Sequence, residues 1–178
     1  MRRAARLALF LLAAGLAPAG MAPAGLAAQQ IPEPGVTLAG GVMDFERDAV
    51  PSGGIVSLAF YSQLVSLGWH WVVEPTFNVG WFRPDTVRTR WLIVPEMQLQ
   101  WQLTTGAVRP YAGAGGGIAF IASSDSTERT TDLSGIITAG IRARMGGLGL
   151  RFEVRRRTSD AFAGWTTEWL VGLSRRYE

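Results

Sequence analysis

The sequence predicts an all-β protein, an eight-stranded antiparallel up-and-down barrel that crosses a membrane with its strands. Three observations point there. Apolar and polar residues alternate with period two in eight separate runs, the connections between the runs are alternately long and short, and many runs are ten or more residues long with tryptophan or tyrosine near their ends. In an extended strand successive side chains point to opposite faces, so period two gives each run one apolar and one polar face. Strands of soluble sheets average about five or six residues, whereas about ten tilted residues span a bilayer.

Composition agrees. A chain of 178 residues suggests one domain, and 48% hydrophobic content with 22 glycines favours β structure. The absence of cysteine excludes disulfides and thiolate metal sites. All 17 basic residues are arginine. Residues 1–28 read as a secretory signal, with Arg2, Arg3 and Arg6 ahead of an apolar core at 7–16, and Leu26, Ala27 and Ala28 as a cleavage site before Gln29. Gly15, Pro18 and Gly20 break the apolar run too soon for a retained membrane helix. Residues 29–178 then form the barrel domain. Without the leader its arginines and acids balance, which argues against a nucleic-acid surface.

The first strand is expected over 35–45, with Val36, Leu38, Gly40 and Val42 on one face. The second, 55–64, sets Val56, Leu58 and Phe60 against Ser57, Ala59, Tyr61 and Gln63. The third, 69–81, carries the widest aromatic face: Trp69, Trp71, Phe77 and Trp81 share one parity, and His70, Glu74, Thr76 and Asn78 the other. In the fourth, 91–103, Met97, Leu99, Trp101 and Leu103 alternate with Gln98, Gln100 and Gln102. The fifth, 109–122, is glycine-rich, the sixth covers 133–144, the seventh 148–157 and the eighth 165–177. The connections at 46–54, 83–88, 123–131 and 158–164 are long and polar, and those at 66–68, 104–107 and 145–147 are short. A meander therefore places all long loops at one end.

With the export signal, these features describe a closed barrel, apolar outside and polar inside. The chain resembles the OmpA/OmpX-like small outer-membrane barrels of the porin family, most clearly in RPYAGAGGGIAF at 109–120. It departs from them at the carboxyl terminus, where Tyr177 is followed by Glu178 instead of ending the chain. The resemblance implies residence in the outer membrane of a Gram-negative-type bacterium, contact with membrane lipid and lipopolysaccharide, and handling by the barrel-assembly machinery. It also implies a role in envelope integrity or surface interaction, with a monomer as the expected state. Trp69, Trp81, Trp91, Trp101, Trp165 and Tyr177 are the expected interfacial aromatics. A soluble lipocalin-like barrel would turn these faces inside out, and the aromatic bulk is too large for a small lumen.

Inward parity gathers Glu74, Glu96, Glu153 and Glu168 with Arg142, Arg144, Arg151 and Arg155. Hairpins centred near Asp85 and position 160 would place Glu74 opposite Glu96 and Glu153 opposite Glu168. Such like-charge neighbours require arginines reaching across the lumen. The expectation is a plug of Arg–Glu pairs, in preference to a small ion or solute channel. Pro75 and Pro95 fall mid-strand and are expected to face each other at a bulge.

No catalytic, cofactor or metal site is expected. Lipid A acyl hydrolysis would need serine, histidine and acid in hydrogen-bond reach, but the single histidine, His70, faces inward near the short-turn end, and Glu74 lies about 13 Å along the strand. The glycines of 112–117 lack the lysine of a phosphate loop, and Asp125, Glu128 and Asp132 lack calcium-loop spacing.

Overall fold

The computed structural model describes residues 35–46, 51–84, 88–123, 129–159 and 164–176. The expected signal over 1–28 and the expected interfacial Tyr177 lie outside the described residues. Eight antiparallel strands form a closed barrel in sequence order: β1 (Gly35–Phe45), β2 (Gly53–Gln63), β3 (Trp71–Phe82), β4 (Arg90–Gln102), β5 (Val108–Ser123), β6 (Arg129–Met145), β7 (Leu148–Ser159) and β8 (Gly164–Arg176). Pairing of β1 with β8, from Gly35–Arg176 to Phe45–Thr166, closes the sheet. Closure leaves no strand edge with unpaired backbone groups.

The short connections are built from specific local chemistry. Met145 pairs with Leu148, and Gly146 between them has φ of 62°, the left-handed backbone that the first central position of a primed two-residue turn requires. Between β2 and β3, a 3-10 turn at Val65–Leu67 is followed by Gly68 at φ 107°. Trp69 and His70 therefore belong to the turn, and β3 starts at Trp71 instead of residue 69. At the other end β6 starts at Arg129 instead of residue 133, because Thr130 and Thr131 pair with Ile121 and Phe120. The polar composition there reads as loop, yet the hairpin ladder continues through it.

Two expected registers are corrected. Glu74 faces Gln98 and Glu96 faces Thr76, while Arg155 faces Glu168 and Glu153 faces Leu170. Each hairpin is displaced by two residues from the expected pairing, which preserves the inward and outward faces while changing every partner. The prolines also differ from expectation. Pro75 faces Met97 and Pro95 faces Phe77, in a β3–β4 ladder without a break. Gaps occur on the opposite edges instead, beside Pro75 in the β2–β3 ladder and beside Pro95 in the β4–β5 ladder, with the same register on both sides of each gap. No residue is inserted, so there is no bulge. The side-chain amide of Asn78 donates to the carbonyl of Val94 at 3.0 Å, a side-chain bond along the unbroken β3–β4 ladder beside Pro95.

Leu38, Phe60, Phe77, Met97, Leu99, Ile137 and Val171 are exposed on the outer face, whereas Glu74, Glu96, Glu153, Glu168, Gln98 and Gln100 are buried inside. On β5, Gly113, Gly115 and Gly117 point inward where Gln100, Gln98 and Glu96 crowd over them. A Cβ at Gly113 would lie 2.7 Å from Gln100 Cγ, and one at Gly117 2.7 Å from Glu96 Cα. In each case the nearest atom is a β4 carbonyl oxygen, of Leu99, Met97 or Pro95, so the glycine row lets the β4 backbone come close. Met43, Ile55, Phe82, Leu92, Val94 and Ile121 form an apolar cluster inside the barrel toward the long-loop end, with Phe45 against Phe82 at 4.7 Å between ring centroids.

Candidate functional site

The inward positions of β7 set up the site. Arg151, Glu153, Arg155 and Arg157 alternate with outward residues, so one strand directs three guanidiniums and a carboxylate into the lumen. Opposite them across the barrel stand Glu74 and Asn78 of β3 and Glu96 of β4. Glu74, Glu96, Glu153, Glu168, Arg142, Arg151, Arg155 and Arg157 are all buried.

Glu74 is the hub nearest the short turns. Arg151 grips it through two nitrogens, Nη1 to Oε2 at 2.9 Å and Nη2 to Oε1 at 2.6 Å, a bidentate pair across the lumen. Arg142, directly beside Arg151 in the β6–β7 ladder, adds Nη2 to Oε2 at 2.6 Å, and Gln100 donates to Oε1 at 3.1 Å. One carboxylate thereby offsets two neighbouring guanidiniums. Glu153 accepts from Arg151 Nε at 2.7 Å and is bonded also to Arg155 Nε and the Tyr111 hydroxyl.

A second group lies toward the long loops. Arg157 donates Nε to Glu168 at 2.6 Å and Nη1 to Glu96 at 2.5 Å. Glu96 also accepts from Thr76 at 2.9 Å and Gln98 at 3.0 Å. Arg155 connects the groups: its Nη1 donates to Asn78 at 2.7 Å and lies 3.7 Å from Glu96 and 3.9 Å from Glu168. Desolvating charges costs several kcal/mol each, and the cost is recovered only where further hydrogen bonds satisfy them. Here the amides of Gln98 and Gln100, the hydroxyls of Thr76 and Tyr111 and the carboxamide of Asn78 supply those bonds.

Sequence parity brings together seven of the eight expected lumen charges. Arg144 is the correction: it has inward parity, but it sits exposed at the end of β6 beside the two-residue turn, past the depth of the network. Arg157, at the other end of the lumen, joins the network instead, and its parity with Arg151 and Arg155 is the signal for it. Tyr111 was not anticipated, because a tyrosine in a glycine-rich strand carries no charge pattern.

The aromatics divide between the two ends. Trp81 and Trp91 are cross-strand partners near the long loops, with ring centroids 6.2 Å apart, and Trp165 is at the same end with the Arg156 guanidinium 5.3 Å from its ring centroid. Trp101 is exposed at the short-turn end and pairs with Trp71. Trp69 differs from expectation, being half-buried in the turn before β3. His70 is held beside it, its Nδ1 donating to the carbonyl of Gln102 at 2.6 Å. Among the described residues no group of three or more histidine and carboxylate side chains is placed to hold a metal ion.

No family model and no curated protein matches the sequence. Solved structures do match. Neisserial surface protein A aligns with TM-score 0.64 and 9% identity, covering 82% of this chain and 97% of that one. The N-terminal β-barrel domain of OprF from Pseudomonas aeruginosa aligns with TM-score 0.53 and 15% identity over 80% of this chain and 97% of that one. Ail, the attachment invasion locus protein of Yersinia pestis, gives TM-score 0.53 and 15% identity over 82% and 97%. The fold is that of the small outer-membrane barrels. In an outer-membrane barrel the outward apolar side chains meet lipid and the lumen holds the polar ones, the distribution found here.

Proposed function

We propose that this chain is an integral outer-membrane protein, exported with a cleaved leader over 1–28, whose lumen is plugged by the Arg–Glu network. Its role in the envelope, structural or in surface interaction, is carried by the long loops. One observation carries the reading: the barrel is inverted relative to a soluble protein, with charges buried and large apolar side chains exposed. Trp91 and Trp101 support it further. They mark the two ends of β4 and are separated by about 33 Å of strand, or about 25 Å along the barrel axis at the usual tilt of about 40°, the height of an outer-membrane apolar band. Lipid and lipopolysaccharide are the expected contacts of that band, and the assembly machinery is the expected partner during insertion. We read the protein as non-enzymatic, since the only histidine is engaged with backbone at the short-turn end, and as a monomer, the state its family resemblance implies.

The mature chain, refolded in detergent, should migrate faster on a gel unheated than boiled, and should give only background current in a planar bilayer. Solubility without detergent would overturn the membrane reading. Stepwise conductance would overturn the plug and favour a small channel. Release of acyl chains from lipid A on incubation would overturn the non-enzymatic reading.

A further inference from the structure

At the short-turn mouth of the barrel lies a cavity of about 40 Å³ lined by Arg109, Arg142, Arg144 and Arg175, with Gln102 and Ser174 among its other walls and, among the described residues, no carboxylate in its lining. The volume suffices for about two or three waters, or one tetrahedral oxyanion in their place. The ladder explains the concentration of charge. Arg109 faces Arg142 and Arg142 faces Arg151, so three inward arginines lie side by side on β5, β6 and β7. Among the described residues, Glu74 and Glu153 bond to Arg142, Arg151 and Arg155 of the lumen network.

Arg142 is the residue that points to a ligand. Its Nη2 is bonded to Glu74 and Gln100, but its buried Nε and Nη1 have no hydrogen-bond partner. The guanidinium carbon lies 4.1 Å from the Tyr111 ring centroid and 5.5 Å from that of Tyr61, contacts that favour the cation but give its N–H groups no acceptor. A buried charged donor without an acceptor is costly, and an oxyanion is the acceptor that geometry and charge both suit. The wall beside Arg144 is kept small: its ladder partner Gly149 also faces Ser174, and a side chain at 149 would run into the Ser174 hydroxyl.

We propose that this mouth is a binding site for one phosphate group, with Arg142 as its innermost donor and Arg109, Arg144 and Arg175 around the rim. A free phosphate and a phospholipid headgroup share this chemistry. The site goes beyond the membrane reading and does not require it, because phosphate binding can be measured in detergent.

The test is calorimetric titration of inorganic phosphate into the full chain refolded in a neutral detergent, at constant ionic strength. Saturable binding of one phosphate per chain is expected. Arg144→Gln and Arg109→Gln should each weaken it about tenfold, while Arg83→Gln and Arg129→Gln at the opposite end leave it unchanged. The gel shift on boiling shows whether each variant has folded. Tighter binding of phosphatidylglycerol in the micelle than of glycerol phosphate in solution would assign the site to a lipid headgroup, and equal binding would assign it to the free ion. Absence of saturable binding in the folded parent, or equal weakening by all four substitutions, would overturn the proposal.

Discussion

Glu74 shows what a single residue does in this lumen. It is fully buried and serves two guanidiniums on adjacent strands, so replacing it with glutamine leaves Arg142 and Arg151 side by side with their shared counter-charge gone. Breaking a buried pair by removing one member costs about 3–5 kcal/mol. Glu74→Gln should therefore lower the unfolding free energy by about that amount, measured by urea unfolding in lipid vesicles. The comparison is Glu46→Gln, whose ion pair with Arg156 at 3.5 Å is half exposed and whose loss should cost no more than about 1 kcal/mol. Equal midpoints for parent and Glu74→Gln would mean that the network contributes nothing to stability. The charges of this network were largely legible in the sequence, because period two assigns a face. Depth was not legible: parity groups Arg144 with Arg142 and cannot tell that β6 has left the lumen two residues later.

At the scale of elements, seven of the eight strands begin within two residues of where alternation places them, and β6 begins four residues earlier than expected. Register was harder to read. The tight turn at Gly146 fixes the β6–β7 pairing, since a two-residue loop allows one alignment. The polar loops after β3 and β7 contain no such constraint, and a slide of two residues costs nothing in face alternation, so Glu74 and Glu153 were matched to the wrong partners. The same slide explains the prolines. Pro75 and Pro95 do not meet; each lacks the donor that would have faced its outer neighbour, β2 or β5. Pro75→Val restores an N–H toward Phe60 at an outward position with β-favouring chemistry. It should raise stability by about 1 kcal/mol, the net worth of one hydrogen bond, in the same unfolding assay. A loss of stability would show that the restricted backbone of proline matters more here than the missing donor.

Over the whole molecule, the connections at the two ends differ in charge more than in length. Those spanning 46–52, 83–89, 124–128 and 160–163 join strand ends on one side and each contains at least one charged residue, while those at 64–70, 103–107 and 146–147 contain none and join strand ends on the other side, where both barrel termini lie. The connection expected to be short at 66–68 is as long as any at the opposite end. In outer-membrane barrels the short turns face the periplasm and the longer loops the exterior, and the two-residue turn at 146–147 lies at the end that carries no charged connection. The long loops should therefore face the cell exterior. Because the chain has no cysteine, single introduced thiols report position without background. Ser52→Cys lies exposed at the long-loop end and Thr105→Cys in a short turn. In intact Gram-negative cells expressing the full chain with its leader, a membrane-impermeant maleimide should label Ser52→Cys and leave Thr105→Cys unmodified until the outer membrane is permeabilised. The reverse pattern would invert the orientation, placing the arginine-lined mouth outside. Labelling of both in intact cells would mean that the barrel does not span the membrane, and the apolar outer face would then have to be covered by protein.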